Sequence, residues 1–221
     1  MDIVKIISSA LDNKYGNYNK KTIHSIATKT LKGLETSANQ KEIVSRGVPS
    51  IDLESDVTNH VRCFFLIEKY YRFKEPDYNQ IEKLYSIVFG IKPSEIKLRQ
   101  GEYVEDFGGC APERSENALR NLTELNRHLQ KAGKFREVTI KKKATFLSRI
   151  FSGIIKAHPF QDGNGRAARM VIQYILRFWG YKYIVIPKFR NCEVWRDALM
   201  KSIEGEYTAM QRYFAARMQA N

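Results

Sequence analysis

Apolar residues recur three and four apart through Ile3 to Leu11, Ile23 to Leu31, Val57 to Phe73, Ile81 to Phe89 and Ala118 to Leu129, the spacing that lines one face of an α-helix. Two further stretches are apolar nearly all round: Phe146 to Ile155, and Ala167 to Trp179, which Gly180 closes. These two are expected to be the central pair of an all-α bundle. Val194 to Met200 and Tyr207 to Met218 read as two more helices laid over that pair.

One stretch breaks the helical rhythm. From Glu95 to Gly109 the spacing changes, with Ile96, Leu98 and Val104 near a Gln100-Gly101 turn and Gly108-Gly109 at the far end. Pro93 and Pro112 bracket it, so it reads either as a short β-hairpin flap leaving the bundle or as a plain surface loop.

Composition narrows the class without choosing a function. At 221 residues, 43% of them hydrophobic and 28% charged, the chain suits one domain with or without a small appendage and has enough apolar side chains for a core. A net charge of +13 favours anionic partners: nucleotides, nucleic acid, anionic lipid or acidic proteins. Cys63, Cys110 and Cys192 are odd in number and widely spaced, with no disulfide framework, which suits a reducing cytoplasm. No signal peptide and no run of about 20 apolar residues is present, so a membrane role is not expected; export by a specialised secretion system would leave no such mark.

Chemistry concentrates between His158 and Arg169, in His158-Pro159-Phe160-Gln161-Asp162-Gly163-Asn164-Gly165-Arg166-Ala167-Ala168-Arg169. Pro159 disfavours a helical backbone at His158, so the helix running from Thr145 should stop there and leave His158 reachable in a loop. Asp162-Gly163-Asn164-Gly165 is turn chemistry, and a new helix should begin near Gly165 or Arg166. Arg166 and Arg169, three apart, then share a face of its first turn, where cations oppose the helix dipole at a cost of roughly 0.3–1 kcal/mol each. A polyphosphate would compensate both: backbone N–H groups and two guanidinium forks converge on several oxygens. Asp162 suits a Mg²⁺ on those phosphates, and His158 has the ordinary pKa of a general base at neutral pH. The pattern is not a Walker A loop.

The segment resembles the active-site signature of Fic-domain proteins, H-P-F-x-D-G-N-G-R-x-x-R, and matches it at every specified position. The likeness extends more loosely from Val57 to Phe214, which divides the chain into an N-terminal helical segment, 1–50, with a candidate regulatory role, and a Fic domain, 51–221. The resemblance implies a Fic-type helical bundle that acts as a protein adenylyltransferase, moving AMP from ATP to a Ser, Thr or Tyr hydroxyl of a target protein. In that scheme His158 is the base, Phe160 anchors the loop, Asp162 holds Mg²⁺ and Gly163, Asn164 and Gly165 form the anion hole. Arg166 and Arg169 hold the β- and γ-phosphates. Doc-type members with a kinase-like outcome carry alanine and lysine where this chain has Gly163 and Gly165, so AMP transfer is the expectation. The 95–109 flap would dock an extended target segment by β-augmentation.

Many Fic proteins are restrained by a glutamate on the second motif arginine, within [ST]-x-x-x-E-[GN]. This chain has no clean copy: Thr28 to Gly33 carries Lys32 at the glutamate position, Glu35 lacks the upstream hydroxyl, and Ser202 to Glu206 is followed by Tyr207. Self-inhibition through Glu35 or Glu206, a glutamate from a separate antitoxin chain, and no control of this kind stay open. Two rival readings are a basic nucleic-acid-binding module, motivated by Lys141-Lys142-Lys143 and Asn19-Lys20-Lys21, and a Fic scaffold that binds nucleotide without catalysis. No helix-turn-helix, zinc or RNP motif accompanies the basic runs.

Overall fold

The computed structural model of the chain describes residues 63, 66–67, 71, 74–96, 123–160, 163–184, 186–187 and 192–220. Among them regular structure is helical: α1 (Tyr78–Phe89), α2 (Ile140–Ala157), α3 (Asn164–Phe178), α4 (Glu193–Ile203) and α5 (Thr208–Gln219), with 3-10 turns at Pro93–Glu95 and Ala132–Phe135. Residues 123–129 are also helical. No β-strand occurs among the described residues. Residues 97–109 of the expected hairpin lie outside them, and Glu95, expected to open it, instead ends a 3-10 turn whose start is fixed by the Lys92 N–H donating to Glu95 Oε2 at 2.9 Å.

The central pair is as the apolar pattern predicts. α2 packs against α3 on one side and against α4 and α5 on the other, while α1 packs on α3. Phe146, Leu147, Ile150, Phe151 and Ile154 of α2 are buried with Ala168, Val171, Ile172 and Ile175 of α3 in one continuous core. Burial of each such large side chain stabilises the fold by about 1.5–3 kcal/mol before the entropy of ordering is subtracted. Trp195, Phe151 and Phe214 join α4, α2 and α5 through ring contacts of 5.4 to 6.4 Å.

Local signals set the helix ends. Asp77 caps α1 in a reciprocal capping box with Gln80. Gly90 ends that helix at φ 64°, its N–H donating to the Ile87 carbonyl while the Ile91 N–H donates to the Ser86 carbonyl. α2 begins earlier than its apolar run, because Thr139 caps it and brings Lys141 to Lys143 into its first turn. Gly180 closes α3 as expected, with Gly180 N–H to the Arg177 carbonyl and Tyr181 N–H to the Leu176 carbonyl, both 2.9 Å.

The basic run at Lys141–Lys143 is not a uniform solvated face. Lys143 is only 7% exposed, with its ammonium 5.1 Å from the Tyr181 ring centroid and 5.9 Å from that of Trp179. It is a packing cation over two aromatic faces. Cys63 and Cys192 are free thiols; Cys63 is buried against the Leu84 carbonyl, and burial pushes its thiol far above the usual range. Among the described residues no helix is long and apolar enough to cross a membrane.

Candidate active site

The site is the short loop between the two central helices. α2 ends at Ala157, and His158 caps it in the left-handed region at φ 44° and ψ 55°, its N–H still donating to the Ile154 carbonyl at 3.0 Å. A non-glycine residue there is uncommon and costs about 1 kcal/mol or more. Pro159 blocks continuation of the helix, and the strain is absorbed where the chain must reverse between α2 and α3. The loop position matches the expectation, but the side chain is not openly reachable: His158 is 5% exposed, because Pro159 and Phe160 turn inward with it.

Asn164 holds the loop shut. Its Oδ1 accepts from the Phe160 N–H at 2.9 Å and its Nδ2 donates to the Phe160 carbonyl at 2.8 Å, with Asn164 2% exposed. Both backbone groups of a buried loop residue are thereby satisfied by one side chain. Asn164 therefore brings only its backbone N–H to an anion site, since its amide is spent on Phe160. Gln173 repeats the device one layer deeper, donating to the Ile184 carbonyl at 2.5 Å and accepting from the Ile184 N–H at 3.1 Å.

α3 starts at Asn164, one or two residues before the position expected from its apolar run. Its N-cap is Gly163, at φ 76°, with no side-chain cap. The Ala167 N–H is the first to bond inside the helix, to the Gly163 carbonyl at 3.0 Å, so the N–H groups of Asn164, Gly165 and Arg166 have no partner within it. The two glycines have different reasons to be glycine. A Cβ on Gly163 would overlap the Phe89 ring in a backbone conformation that side chains rarely adopt. A Cβ on Gly165 would meet only Arg169 Nη1, at 3.6 Å, which is ordinary contact. Packing explains the first glycine; the second leaves room over the helix start.

Because α3 begins at Asn164, Arg166 lies in its first turn and Arg169 falls in the second, one turn further from the helix start than the spacing predicts. The Arg166 guanidinium lies 4.0 Å from the centroid of the Phe89 ring. Arg169 makes no ion pair or hydrogen bond among the described residues. Burial first, and then the neighbouring charge of Arg166, lower its pKa to about 10, so it stays protonated at neutral pH but at a cost. Two cations near a helix start without a side-chain cap, one of them without a counter-charge among the described residues, make an electrostatic demand for an anion.

The sequence reading missed the aromatic support under this loop. Tyr85 stacks on Phe160 at 3.9 Å and lies 4.5 Å from Phe89, four residues on along α1. The i, i+4 spacing of Tyr85 and Phe89 was the available signal, since it puts both rings on one helix face. Asp162 and Gln161 lie outside the described residues, as does Glu35. Among the described residues no cluster of His, Cys, Asp and Glu is suited to holding a metal. Glu206 is exposed in the turn between α4 and α5 and makes no ion pair with Arg169.

Residues 75–176, just under half of the chain, match the Fic/DOC family model. The match spans α1, the loop and α3 almost to its end. Solved structures agree on the fold. A Fic domain-containing signaling protein from Bacteroides thetaiotaomicron is similar over 98% of this chain and 92% of its own, at TM-score 0.65 and 15% identity. BepC, a VirB-translocated effector of Bartonella tribocorum crystallised with bound AMPPNP, matches over 78% of this chain and 93% of its own, at TM-score 0.54 and 16% identity. IbpAFic2, solved in complex with adenylylated Cdc42, matches over 88% of this chain and 62% of its own, at TM-score 0.56 and 18% identity. No curated protein matches the chain in sequence.

Proposed function

We propose that the chain is a protein adenylyltransferase that transfers AMP from ATP to a Ser, Thr or Tyr hydroxyl of a target protein. The observation that carries this is the start of α3, where Gly163 gives the helix no side-chain cap and Arg166 and Arg169 follow within two turns, Arg169 with no counter-charge among the described residues. A polyphosphate satisfies all of these groups together. The nucleotide in BepC and the adenylylated target of IbpAFic2 support the same reading by analogy of fold.

In this reading His158 takes the proton of the target hydroxyl as its oxygen bonds to the α-phosphorus of ATP. The bond from that phosphorus to the bridging oxygen breaks, and pyrophosphate leaves with its charge held by Arg166, Arg169 and the N–H groups of Asn164 and Gly165. The enclosure of His158 keeps bulk water from competing for the base. Mg²⁺ on Asp162 would supply further neutralisation of the phosphates. Residues 95–109 are the proposed dock for the target, and 51–221 the proposed extent of the catalytic domain. Glu35 or a separate antitoxin chain is the proposed source of an inhibitory carboxylate, Glu206 lying exposed in the turn between α4 and α5.

Intact mass of the purified chain, alone and with lysate, after incubation with ATP and Mg²⁺ is the direct test. An AMP-sized gain on any protein, lost in His158→Ala, is expected. A phosphate-sized gain would keep the site and change the reaction, and no gain, with Glu35→Gly and Glu206→Gly also silent, would overturn the reading.

A further inference from the structure

We infer that Phe89 is a positioning residue of the nucleotide site, holding the Arg166 guanidinium in place at the start of α3 before nucleotide arrives. The inference rests on nucleotide binding there, and three observations carry it. Arg166 lies 4.0 Å from the Phe89 ring centroid. The tip of the same ring fills the space that any side chain at Gly163 would need. Phe89 is also tied through Tyr85, at 4.5 Å, to Phe160 at the other end of the loop, at 3.9 Å. One turn of α1 thus touches the loop at Phe160 and Gly163 and the helix start at Arg166, and Gly90 fixes where that turn stops.

The choice of an aromatic partner matters chemically. A guanidinium in the first turn of a helix, beside a second guanidinium, needs compensation when no anion is bound. A carboxylate would supply it but would compete with phosphate for the same N–H donors. An aromatic face attracts the cation through its quadrupole and itself consumes no N–H. Phe89 therefore orients Arg166 through its ring face alone, and lowers the ordering cost that binding would otherwise carry.

The test is a double-mutant cycle on the full chain, with ATP and AMP binding measured by calorimetry for the parent, Phe89→Leu, Arg166→Gln and the double variant. Phe89→Leu is expected to weaken ATP binding about five- to tenfold and AMP binding less than about twofold, because AMP lacks the phosphates that Arg166 would hold. In the Arg166→Gln background the loss of the ring should change ATP affinity by less than about twofold. Equal losses for ATP and AMP, or an undiminished loss in the Arg166→Gln background, would overturn the inference and reduce Phe89 to a packing residue. Phe89→Met is the second variant, used if thermal melting shows that the leucine variant does not fold. A parent chain that binds no ATP sinks the nucleotide reading itself, and that result is read before any variant is compared.

Discussion

Asn164 returns both ends of its amide to the backbone of Phe160, accepting at 2.9 Å and donating at 2.8 Å, and so closes the loop that joins the two central helices. The residue that opens α3 is by this contact also the residue that shapes the approach to it. Replacing it should therefore act on the fold as well as on activity. Asn164→Ala leaves a buried N–H and a buried carbonyl without partners, and is expected to destabilise the protein by about 2–4 kcal/mol. Urea unfolding of parent and variant measures this, and an unchanged midpoint would mean that the clamp contributes little.

Gly163 and Gly165 should separate in a substitution experiment. Gly163→Ala meets the Phe89 ring at a positive φ and is expected to cost about 2 kcal/mol or more. Gly165→Ala has room and gains helix propensity, so stability should hold or rise by up to about 1 kcal/mol. Nucleotide affinity should nevertheless fall in Gly165→Ala, since the added methyl sits where phosphate would approach the backbone. Thermal melting and ATP calorimetry on the same samples distinguish the two effects.

Arg169 should be a residue whose removal helps the fold and harms the function. Its pKa is held at about 10, below the ordinary guanidinium range, so between these values the unfolded chain binds more protons than the native one. Its contribution to stability is therefore present above the unfolded value and lost as pH falls through about 10, which makes the charged group a net cost at neutral pH. Arg169→Met is expected to raise the stability of the nucleotide-free protein, on the order of 1 kcal/mol, and to weaken ATP binding at least tenfold, roughly the loss of one charge-assisted contact. A destabilised Arg169→Met with intact ATP binding would contradict both statements.

Lys143 provides a control for the basic surface. Because its ammonium lies over Tyr181 and Trp179, Lys143→Ala should destabilise the protein by about 1–2 kcal/mol through lost packing and cation–π contact. Lys142, exposed one position earlier, should change stability by no more than about 0.5 kcal/mol when replaced by alanine. Denaturation of the two variants side by side checks the contrast.

The sequence alone determined the helical class, the central apolar pair, the Gly180 stop and the placement of His158, Arg166 and Arg169 around one loop. Each follows from interactions that are local along the chain: apolar periodicity, the steric restriction before Pro159, and the i, i+3 spacing of the arginines on a helix turn. Only the tertiary structure decided that the Asn164 side-chain amide closes the loop, that Lys143 faces inward, that His158 is enclosed, and that Phe89 reaches Gly163 and Arg166. Those outcomes depend on segments brought together from distant positions, α1 against the start of α3 and residues 179–181 against the start of α2. A polar side chain in a sequence carries the same donors and acceptors whichever neighbour folding brings to it, so periodicity names the helix and packing names the partner.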